Sequence, residues 1–305
     1  MKIISIIVPV YKVPLEYLRT CLDSLNTQTM QECEFIIVSD GAPEAECAIC
    51  EKYAKKDSRF KFFKREHAGV SATRNYGIVQ AQGEYITFVD CDDWLSLNAL
   101  TTIKKLIKLN DFDIALMNSI KSWDSDNNKI ILKLNNETTT INLKKIPHFA
   151  ICGYIFKQSI IKQHKICFNE SLTLSEDKAF IYHYCCFSKI LKTTNEPEYF
   201  YRQHNSSVCH QKNTIQTVIQ QIKAAKHIAN ILKEHSNVSN FFIFHLTNKM
   251  IQMAIIGFTK YKHNKKEAHT IYQAYKSIFK GSSLRYTYIW YRAKLAILLG
   301  HFFHI

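Results

Sequence analysis

The sequence predicts an α/β protein built around a doubly wound sheet, and three observations point to this class. Short apolar runs alternate with amphipathic segments over the first hundred residues. The apolar runs are nearly continuous, as is usual for parallel strands whose two faces are both covered by helices. Polar and conformationally special residues cluster where three of these runs end. Strands and helices that alternate in this way typically form an open sheet between two helical layers.

The elements of this first part follow one another in a regular order. Each apolar run is followed by a segment with the period of a helix, which is the usual connection between parallel strands. The predicted strands cover residues 3–11, 33–41, 59–66 and 84–93. The predicted helices between them cover residues 15–28, 44–57 and 69–82.

The rest of the chain adds further strands and a helical end. We predict a helix soon after Trp94, and its N-terminal boundary makes Asp93 a capping residue. Ser175 is the predicted cap of a later helix. The predicted segments are a helix over 96–110, a strand over 112–123, a polar hairpin over 124–141, a strand and helix over 149–166, a helix from 175, a strand over 193–207 and helices over 215–305. These patterns divide the chain into a domain of residues 1–205 and a basic helical region of residues 206–305.

The composition is that of a globular protein. With 305 residues, 47% hydrophobic and 22% charged, the chain can bury one large domain and a smaller one. Its ten cysteines lack the spacing of a small disulfide-rich domain, which predicts buried free thiols in a reducing compartment. Cys47 and Cys50 form a C-x-x-C pair inside a predicted helix, and no second pair completes a zinc site. We interpret this pair as structural.

The net charge of +14 is concentrated in the last third of the chain. Residues 1–200 carry 25 Lys and Arg against 24 Asp and Glu, whereas residues 201–305 carry 15 against 2. Such an asymmetry indicates a polyanionic partner, either an anionic lipid surface or nucleic acid. A basic helical tail without a partner is the alternative.

The amino-terminal apolar segment is interpreted as a buried strand and not as a signal peptide. The run is short, ends at Pro9 and is not followed by a small-residue cleavage site. No stretch reaches the roughly 18 uninterrupted apolar residues of a spanning helix, since Arg292 and Lys294 interrupt the best candidate. We therefore expect a cytoplasmic protein.

Three strand ends meet at the expected ligand crevice. In doubly wound sheets this crevice lies beyond the carboxyl ends of the strands. The three ends are residues 9–11, 39–41 and 90–92. The chain has neither G-x-G-x-x-G after the first strand nor a P-loop pattern, which argues against a dinucleotide oxidoreductase and a P-loop NTPase. A phosphate group must be held in another way.

Asp90 and Asp92 are candidates for binding a phosphate group through a metal ion. Carboxylates two positions apart at a strand end can both turn into the crevice and hold a hard divalent cation. Mn²⁺ or Mg²⁺ is typically held by one or two protein carboxylates, and substrate phosphates complete its coordination. The sequence thus predicts a metal site that neutralises a diphosphate.

Five segments together resemble the inverting family-2 glycosyltransferases of the GT-A fold. They are, in this order, IISIIVPVYK, FIIVSDGAPE, HAGVSATRNYG, GEYITFVDCDDWL and SEDKAF, and the match covers about residues 3–205. The resemblance implies a Rossmann-like doubly wound mixed sheet with a helical C-terminal region. It also implies a UDP-sugar donor of a hexose or N-acetylhexosamine, and a glycan or lipid-linked glycan acceptor.

The resemblance also assigns residues to the nucleotide-sugar site. His67 stands where the family often has asparagine, which leaves base selectivity there open. Arg74 reaches the diphosphate or braces the aspartates. Cys91 replaces the usual alanine or serine. The implied nucleotide-sugar ligands are Pro9, Val10 and Tyr11 against the base, Asp40 on the base edge, His67, Arg74, Asp90, Cys91 and Arg202.

One carboxylate in SEDKAF is the implied catalytic base. Displacement with inversion needs a base that takes the proton of the acceptor hydroxyl. By resemblance this base is Asp177, with Glu176 beside it in the acceptor pocket; both also fit ordinary acids in the first turn of a helix. Arg202 and His204 follow the last predicted strand, and His204 is a further candidate metal ligand.

The segment of residues 285–305 fits attachment to an anionic membrane surface. Trp290 lies among tyrosines that suit a membrane interface, and Arg292 and Lys294 suit lipid head groups. A helical hairpin that packs on the catalytic domain or forms a homodimer fits equally. Transferases of this type that build bacterial surface polysaccharide work at this membrane face, which predicts lipopolysaccharide, lipooligosaccharide or capsule biosynthesis.

Two other classes of function stay open at this stage. The first is a nucleic-acid- or membrane-binding protein without transferase activity, but the chain has no known nucleic-acid-binding module, so we expect no nucleic-acid partner. The second is a sugar-1-phosphate nucleotidyltransferase. That class shares the sheet but needs a Gly- and Arg-rich loop where this chain has VPVYK.

Overall fold

The computed structural model describes most of the chain as a mixed α/β structure. The described residues are 2–109, 111–123, 129–132, 134–146, 150–203, 214–259 and 265–278. His204, Cys209 and the predicted membrane segment 285–305 lie outside these ranges. None of the described helices is long and apolar enough to span a bilayer.

The elements are numbered in chain order. The strands are β1 (Ile4–Val10), β2 (Cys33–Asp40), β3 (Phe60–Arg65), β4 (Tyr85–Phe88), β5 (Trp94–Leu95), β6 (Ile114–Trp123), β7 (Lys129–Leu132), β8 (Glu137–Thr140), β9 (Tyr154–Lys157) and β10 (Ile190–Gln203). The helices are α1 (Leu15–Asn26), α2 (Glu44–Lys56), α3 (Val70–Gln80), α4 (Ala99–Leu109), α5 (Gln158–Gln163), α6 (Glu176–Cys185), α7 (Ile215–His235), α8 (Asn240–Thr259) and α9 (Lys265–Ile278).

One mixed sheet organises the described strands. Its order is β3-β2-β1-β4-β9-β6-β10-β5, with β7 beside β6 and β8 beside β10. Strands β3, β2, β1 and β4 are mutually parallel, and β9 joins them to β6 through antiparallel pairs. Every residue of β1 and β2 is buried, so protein covers both faces of these strands. The predicted alternation of strands and helices over the first hundred residues is confirmed.

Helix α1 shows how the apolar pattern places a helix on this sheet. Its buried residues recur three and four positions apart and form one face of the helix. They are Leu18, Cys21, Leu22 and Leu25. The buried side chains in α2 include Cys47 and Cys50, and the Cys47 Sγ lies 3.5 Å from the Ser39 Oγ. The C-x-x-C pair therefore belongs to the core.

Three predicted details of the fold are wrong. Trp94 and Leu95 form strand β5, antiparallel to β10, and α4 begins only at Ala99. The polar stretch after β6 is not a simple hairpin, because β7 pairs with β6 whereas β8 pairs with β10. Ser175 stands at the start of α6, but its side chain makes no capping hydrogen bond.

The chain forms two compact units. The first comprises Met1–Glu170 with Phe187–Ser207, and the second comprises Ser171–Cys186 with Val208–Ile305. This division groups residues 171–186 with the C-terminal helices, whereas the predicted boundary at residue 205 includes them in the first domain. Helix α6, which carries Glu176 and Asp177, is part of this segment.

A buried carboxylate ties strands together at the amino end of the sheet. Glu34 accepts hydrogen bonds from the Ser5 Oγ at 2.6 Å and the Gln82 N at 2.7 Å, and pairs with the Lys61 Nζ at 2.7 Å. Burial alone would raise the pKa of this carboxyl, but the hydrogen bonds from Lys61, Ser5 and Gln82 together lower it. Its role is structural, because it lies at the edge opposite the predicted crevice.

We expect Glu34→Gln to destabilise the protein in a pH-dependent way. The lowered pKa means that the charged form stabilises the fold above the ordinary glutamate pKa, and that this contribution disappears as the pH falls through the lowered value. At neutral pH the loss is about 1–3 kcal/mol. Urea unfolding at several pH values measures it. The matched control is Glu51→Gln, which removes a largely exposed pair with Lys64 and costs under about 1 kcal/mol.

A difference between wild type and Glu34→Gln that stays constant from neutral to acid pH would contradict this assignment.

Candidate active site

The predicted crevice lies at the carboxyl ends of β1, β2 and β4. β1 lies between the other two, with Val10 opposite Ser39 and Ile7 opposite Phe88. The residues that follow these strands therefore emerge side by side. Pro9 and Val10 are buried in the last two positions of β1. Tyr11, the next residue, is exposed.

Asp40, the last residue of β2, shapes the loop before α3. Its carboxylate is buried and accepts hydrogen bonds from the Ala68 N at 2.8 Å and the Gly69 N at 3.0 Å. Gly69 has a φ of 92°, which favours glycine. The carboxylate thus satisfies backbone donors at the start of α3 and fixes the loop of residues 67–69.

The side chains of Tyr11 and His67 contact each other, and His67 also contacts Asp40. Their rings stack with centroids 4.2 Å apart and planes 15° apart. The His67 Nδ1 lies 2.9 Å from the Asp40 Oδ2. Gly41, with a φ of 69°, lies so close that an added Cβ would be 3.0 Å from the His67 Cβ. Three predicted nucleotide residues from separate segments are therefore brought together.

Glu46 is a residue of this region that the sequence did not reveal. The loop after β1 contains Lys12 in a left-handed conformation, with a φ of 46°. The buried Glu46 accepts a hydrogen bond from the Val13 N at 3.0 Å and so holds this loop against α2. Burial raises the pKa of the Glu46 carboxyl, and the backbone donors of Val13 and Lys12 oppose that effect.

Arg74 and Asp90 form an ion pair behind the crevice. The Arg74 Nη2 lies 2.9 Å from the Asp90 Oδ1, and the guanidinium is buried against the Phe168 ring. The Asp90 side chain is 34% exposed and so still reaches the crevice. Of the two predicted roles for Arg74, the bracing contact with an aspartate is present.

Asp93 anchors the turn that carries Asp90 and Asp92. It is fully buried and accepts hydrogen bonds from the Tyr199 Oη at 2.5 Å and the Arg202 N at 2.8 Å. The Tyr199 Oη also accepts from the Asp90 N at 3.3 Å. The predicted capping role of Asp93 is therefore wrong, because both its oxygens bind β10 instead of a helix terminus.

The electrostatics of the turn follow from this burial. Burial raises the pKa of the Asp93 carboxyl well above its ordinary value, and the charges of Asp92 and Asp90 add to the effect. Burial and the same two carboxylates raise the pKa of the Cys91 thiol well above its ordinary value. Cys91 is therefore a neutral spacer between the two carboxylates at neutral pH.

Arg202 is held between aromatic rings and fastens the same turn. Its guanidinium carbon lies 4.1 Å from the Tyr17 ring centroid and 4.6 Å from that of Trp94. Its Nε donates to the Asp92 O at 2.9 Å. The Trp94 ring in turn stacks on Phe200 of β10, with centroids 5.3 Å apart. Arg202 thus stabilises the main chain of the turn of residues 90–93.

The donor atoms at this turn fit a hard divalent cation. Ligand atoms of Asp90, Asp93 and Cys152 lie within 4.8 Å of one another. Asp93 is already engaged on both oxygens by Tyr199 and Arg202, so it serves the turn. Asp92 is not part of this group, but it and Asp90 are both partly exposed and carry carboxylate oxygens, the ligand type that Mn²⁺ and Mg²⁺ prefer.

Glu176 and Asp177 lie in the first turn of α6, in the second compact unit. Ser175 before them has a φ of 59°, uncommon for a residue with a side chain, and its Oγ donates to the Gln221 Oε1 of α7 at 2.8 Å. Both acids are half-buried. Burial, together with the nearby charge of Lys249, lowers the pKa of the adjacent Lys178. The other predicted site residues that the structure describes belong to the first unit.

We expect Tyr199→Phe to destabilise the protein by about 1–3 kcal/mol, because the buried Asp93 carboxylate and the Asp90 amide each lose a partner. Urea unfolding measures the loss. Tyr76→Phe is the matched control, since the observed contacts of Tyr76 are made by its ring with Phe63 and Arg65. We expect that change to stay within about 0.5 kcal/mol. Equal losses in both variants would contradict the anchoring role.

Comparison with known proteins identifies the family. Residues 5–165 match the family described as Glycosyl transferase family 2. The chain is 33% identical over 218 residues to the Bacillus subtilis putative glycosyltransferase EpsH, covering 67% of this chain and 62% of that protein. It is 32% identical over 203 residues to the poly(ribitol-phosphate) beta-glucosyltransferase of Bacillus spizizenii, covering 65% of this chain and 32% of that protein. The chain thus spans less than two thirds of these relatives.

A solved structure confirms the predicted fold. The S. aureus TarS fragment 1–349 in complex with UDP-GlcNAc superposes with a TM-score of 0.75 at 18% identity, covering 100% of this chain and 93% of that one. The GT-A mixed sheet with a helical C-terminal region is therefore shown. The match over residues 5–165, which is more than half of the chain, establishes that the chain belongs to glycosyl transferase family 2.

Proposed function

We propose that this chain is an inverting glycosyltransferase that moves a hexose or N-acetylhexosamine from a UDP-sugar to a hydroxyl group of an acceptor glycan or polyol-phosphate polymer. The observation that carries the proposal is the meeting of Tyr11, Asp40 and Asp90 at the carboxyl ends of three adjacent strands. An aromatic face, a base-edge acceptor and a cation ligand are the three parts that a nucleoside diphosphate requires.

The nucleotide is held by the first unit. Tyr11 supplies a face for the base, and Asp40 supplies an acceptor for an N–H on the base edge. Gly41 lets the main chain after β2 pass close to His67. The UDP-GlcNAc bound to TarS supports a uridine nucleotide as the donor.

The diphosphate lies beside the turn of residues 90–93. Asp90 and Asp92 would hold Mn²⁺ or Mg²⁺ there, and the cation would neutralise the charge that develops on the leaving diphosphate. Arg74 keeps Asp90 in place, and Arg202 with Asp93 keeps the main chain of the turn in place. Preorganised ligands of this kind lose little free energy to rearrangement when the reaction proceeds.

Asp177 is the proposed general base. A hydroxyl group is a weak nucleophile until a carboxylate takes its proton, and a single displacement inverts the anomeric carbon. Glu176 is proposed to shape the acceptor pocket beside it. The family resemblance of SEDKAF supports these two roles, together with the place of both acids in the first turn of α6.

The acceptor is proposed to be a cell-surface polymer. The relatives named above include a poly(ribitol-phosphate) glucosyltransferase, which makes a polyol-phosphate chain as good a candidate as the lipopolysaccharide or capsule glycan expected from the sequence. The excess of positive charge after residue 200 supports an anionic acceptor.

A donor panel with two variants tests this function. Release of UDP from UDP-hexoses and UDP-N-acetylhexosamines is measured with and without Mn²⁺. We expect wild-type turnover to need the metal. We expect Asp92→Asn to weaken the metal dependence and the activity together, and Asp177→Asn to lower kcat by about 10²–10⁴-fold with an unchanged affinity for UDP.

Asp23→Asn is a control that changes a carboxylate on α1 bonded to Tyr53, and we expect it to retain full activity. Metal-independent turnover would remove the cation from the mechanism. Full activity of Asp177→Asn would remove the proposed base. No nucleotide release with any donor would favour a binding protein without transferase activity.

We also propose that residues 285–305 attach the protein to the inner face of the cell membrane. Replacing Arg285, Arg292 and Lys294 by Gln removes three positive charges, and we expect weaker flotation with anionic liposomes because each charge near the surface contributes about 1 kcal/mol. The matched control replaces the exposed residues Lys52, Lys55 and Lys56 of α2 by Gln. Equal flotation of both triple variants would contradict a specific role of this segment.

A further inference from the structure

The His67 side chain contacts both Tyr11 and Asp40, the two residues proposed to bind the base. Its ring covers a face of Tyr11, with the two centroids 4.2 Å apart. Its Nδ1 lies 2.9 Å from the Asp40 Oδ2. The aromatic face and the carboxylate acceptor are the two groups that a base would use, and one side chain engages both.

Several hydrogen-bond donors surround the Asp40 carboxylate. The Ala68 N donates to Oδ1 and the Gly69 N to Oδ2, while the His67 Nδ1 lies 2.9 Å from Oδ2 and 3.1 Å from the Asp40 main-chain O. The Asp40 side chain is only 4% exposed, so its surroundings leave little room for another donor. A base N–H can take a place on Oδ2 if one present donor leaves. The two amide donors are fixed by the loop before α3, and the imidazole is the one that can move.

The imidazole can leave without a change of the backbone. The His67 side chain is 54% exposed, so solvent can accept it in another rotamer. Its main chain is held by the neighbouring amides on Asp40 and by the close approach of Gly41. A polar contact made by a largely exposed side chain contributes little to stability because water competes for it, and exposed side chains change rotamer on the picosecond to nanosecond scale.

We propose that His67 is an intramolecular cap on the base site, which swings outward when a pyrimidine nucleotide binds. The imidazole stands in for the base: a flat ring on Tyr11 with an N–H directed at Asp40. The cap lowers the apparent affinity by the fraction of molecules in which it is open. This inference rests on the proposed use of a UDP-sugar and adds a specificity-determining residue to that site.

Titration calorimetry with UDP tests the cap. We expect His67→Ala to bind UDP about tenfold more tightly, since the open fraction becomes complete. His67→Phe keeps a ring on Tyr11 but cannot donate to Asp40, and His67→Asn keeps a donor without the ring. We expect both to fall between wild type and the alanine variant. Addition of UDP to the wild type should also shift the imidazole ¹⁵N signals of His67 towards those of a solvent-exposed histidine.

His164→Ala is the matched control, because it removes an imidazole stacked on Phe187 away from the three strand ends. Its UDP affinity should equal that of the wild type. Weaker or unchanged binding by His67→Ala, with UDP still bound by the wild type, would overturn the cap and leave the proposed function standing. Absence of UDP binding in the wild type and all His67 variants would overturn the proposed function and the cap with it.

Discussion

The hydrogen bond between Tyr199 and Asp93 is the contact on which the proposed catalytic turn depends. Three aspartates within four residues repel one another, and burial of one raises its pKa well above the ordinary value. The turn keeps its shape because Asp93 points into the protein, where Tyr199 and the Arg202 amide satisfy its oxygens. Removing a partner of a buried polar group costs more than an average hydrogen bond contributes. Asp90 and Asp92 can therefore remain partly exposed at the crevice only while the third carboxylate is anchored.

Buried carboxylates also stabilise the loops that present side chains at the ends of β1 and β2. Glu46 binds the Val13 amide and holds the loop that presents Tyr11. Asp40 binds two amides and holds the loop that presents His67. In each case a buried carboxylate satisfies main-chain donors of a loop that lacks regular hydrogen bonding. Rigid loops present side chains for binding with little ordering cost, so buried acids preorganise the crevice, and Asp40 does so in addition to its proposed contact with the base.

Sequence patterns predicted the half of the sheet in which strands and helices alternate, because continuous apolar runs mark buried parallel strands. They also placed Tyr11, Asp40 and Asp90 together, since the ends of such strands share one edge. They did not predict the partner of Asp93, because Tyr199 is 106 positions away and no periodicity links the two. Strand β5 escaped prediction because two residues carry no periodic signal. The assignment of residues 171–186 to the second unit depends on packing against distant helices, which local pattern cannot show.

The division of the chain separates the residues proposed to act on the donor from the acid proposed to act on the acceptor. The described residues proposed to bind the nucleotide and the cation lie in the first unit, whereas Asp177 lies on α6 in the second. Most of the excess positive charge also falls in the second unit, since residues 171–186 and 208–305 carry 15 basic residues against 4 acidic ones. The proposed anionic acceptor would be attracted by this excess of charge at long range, while the nearly neutral balance of residues 1–200 leaves recognition of the proposed donor to short-range contacts. If these proposed roles hold, donor recognition depends on contacts within the first unit, whereas the proposed base depends on contacts within the second.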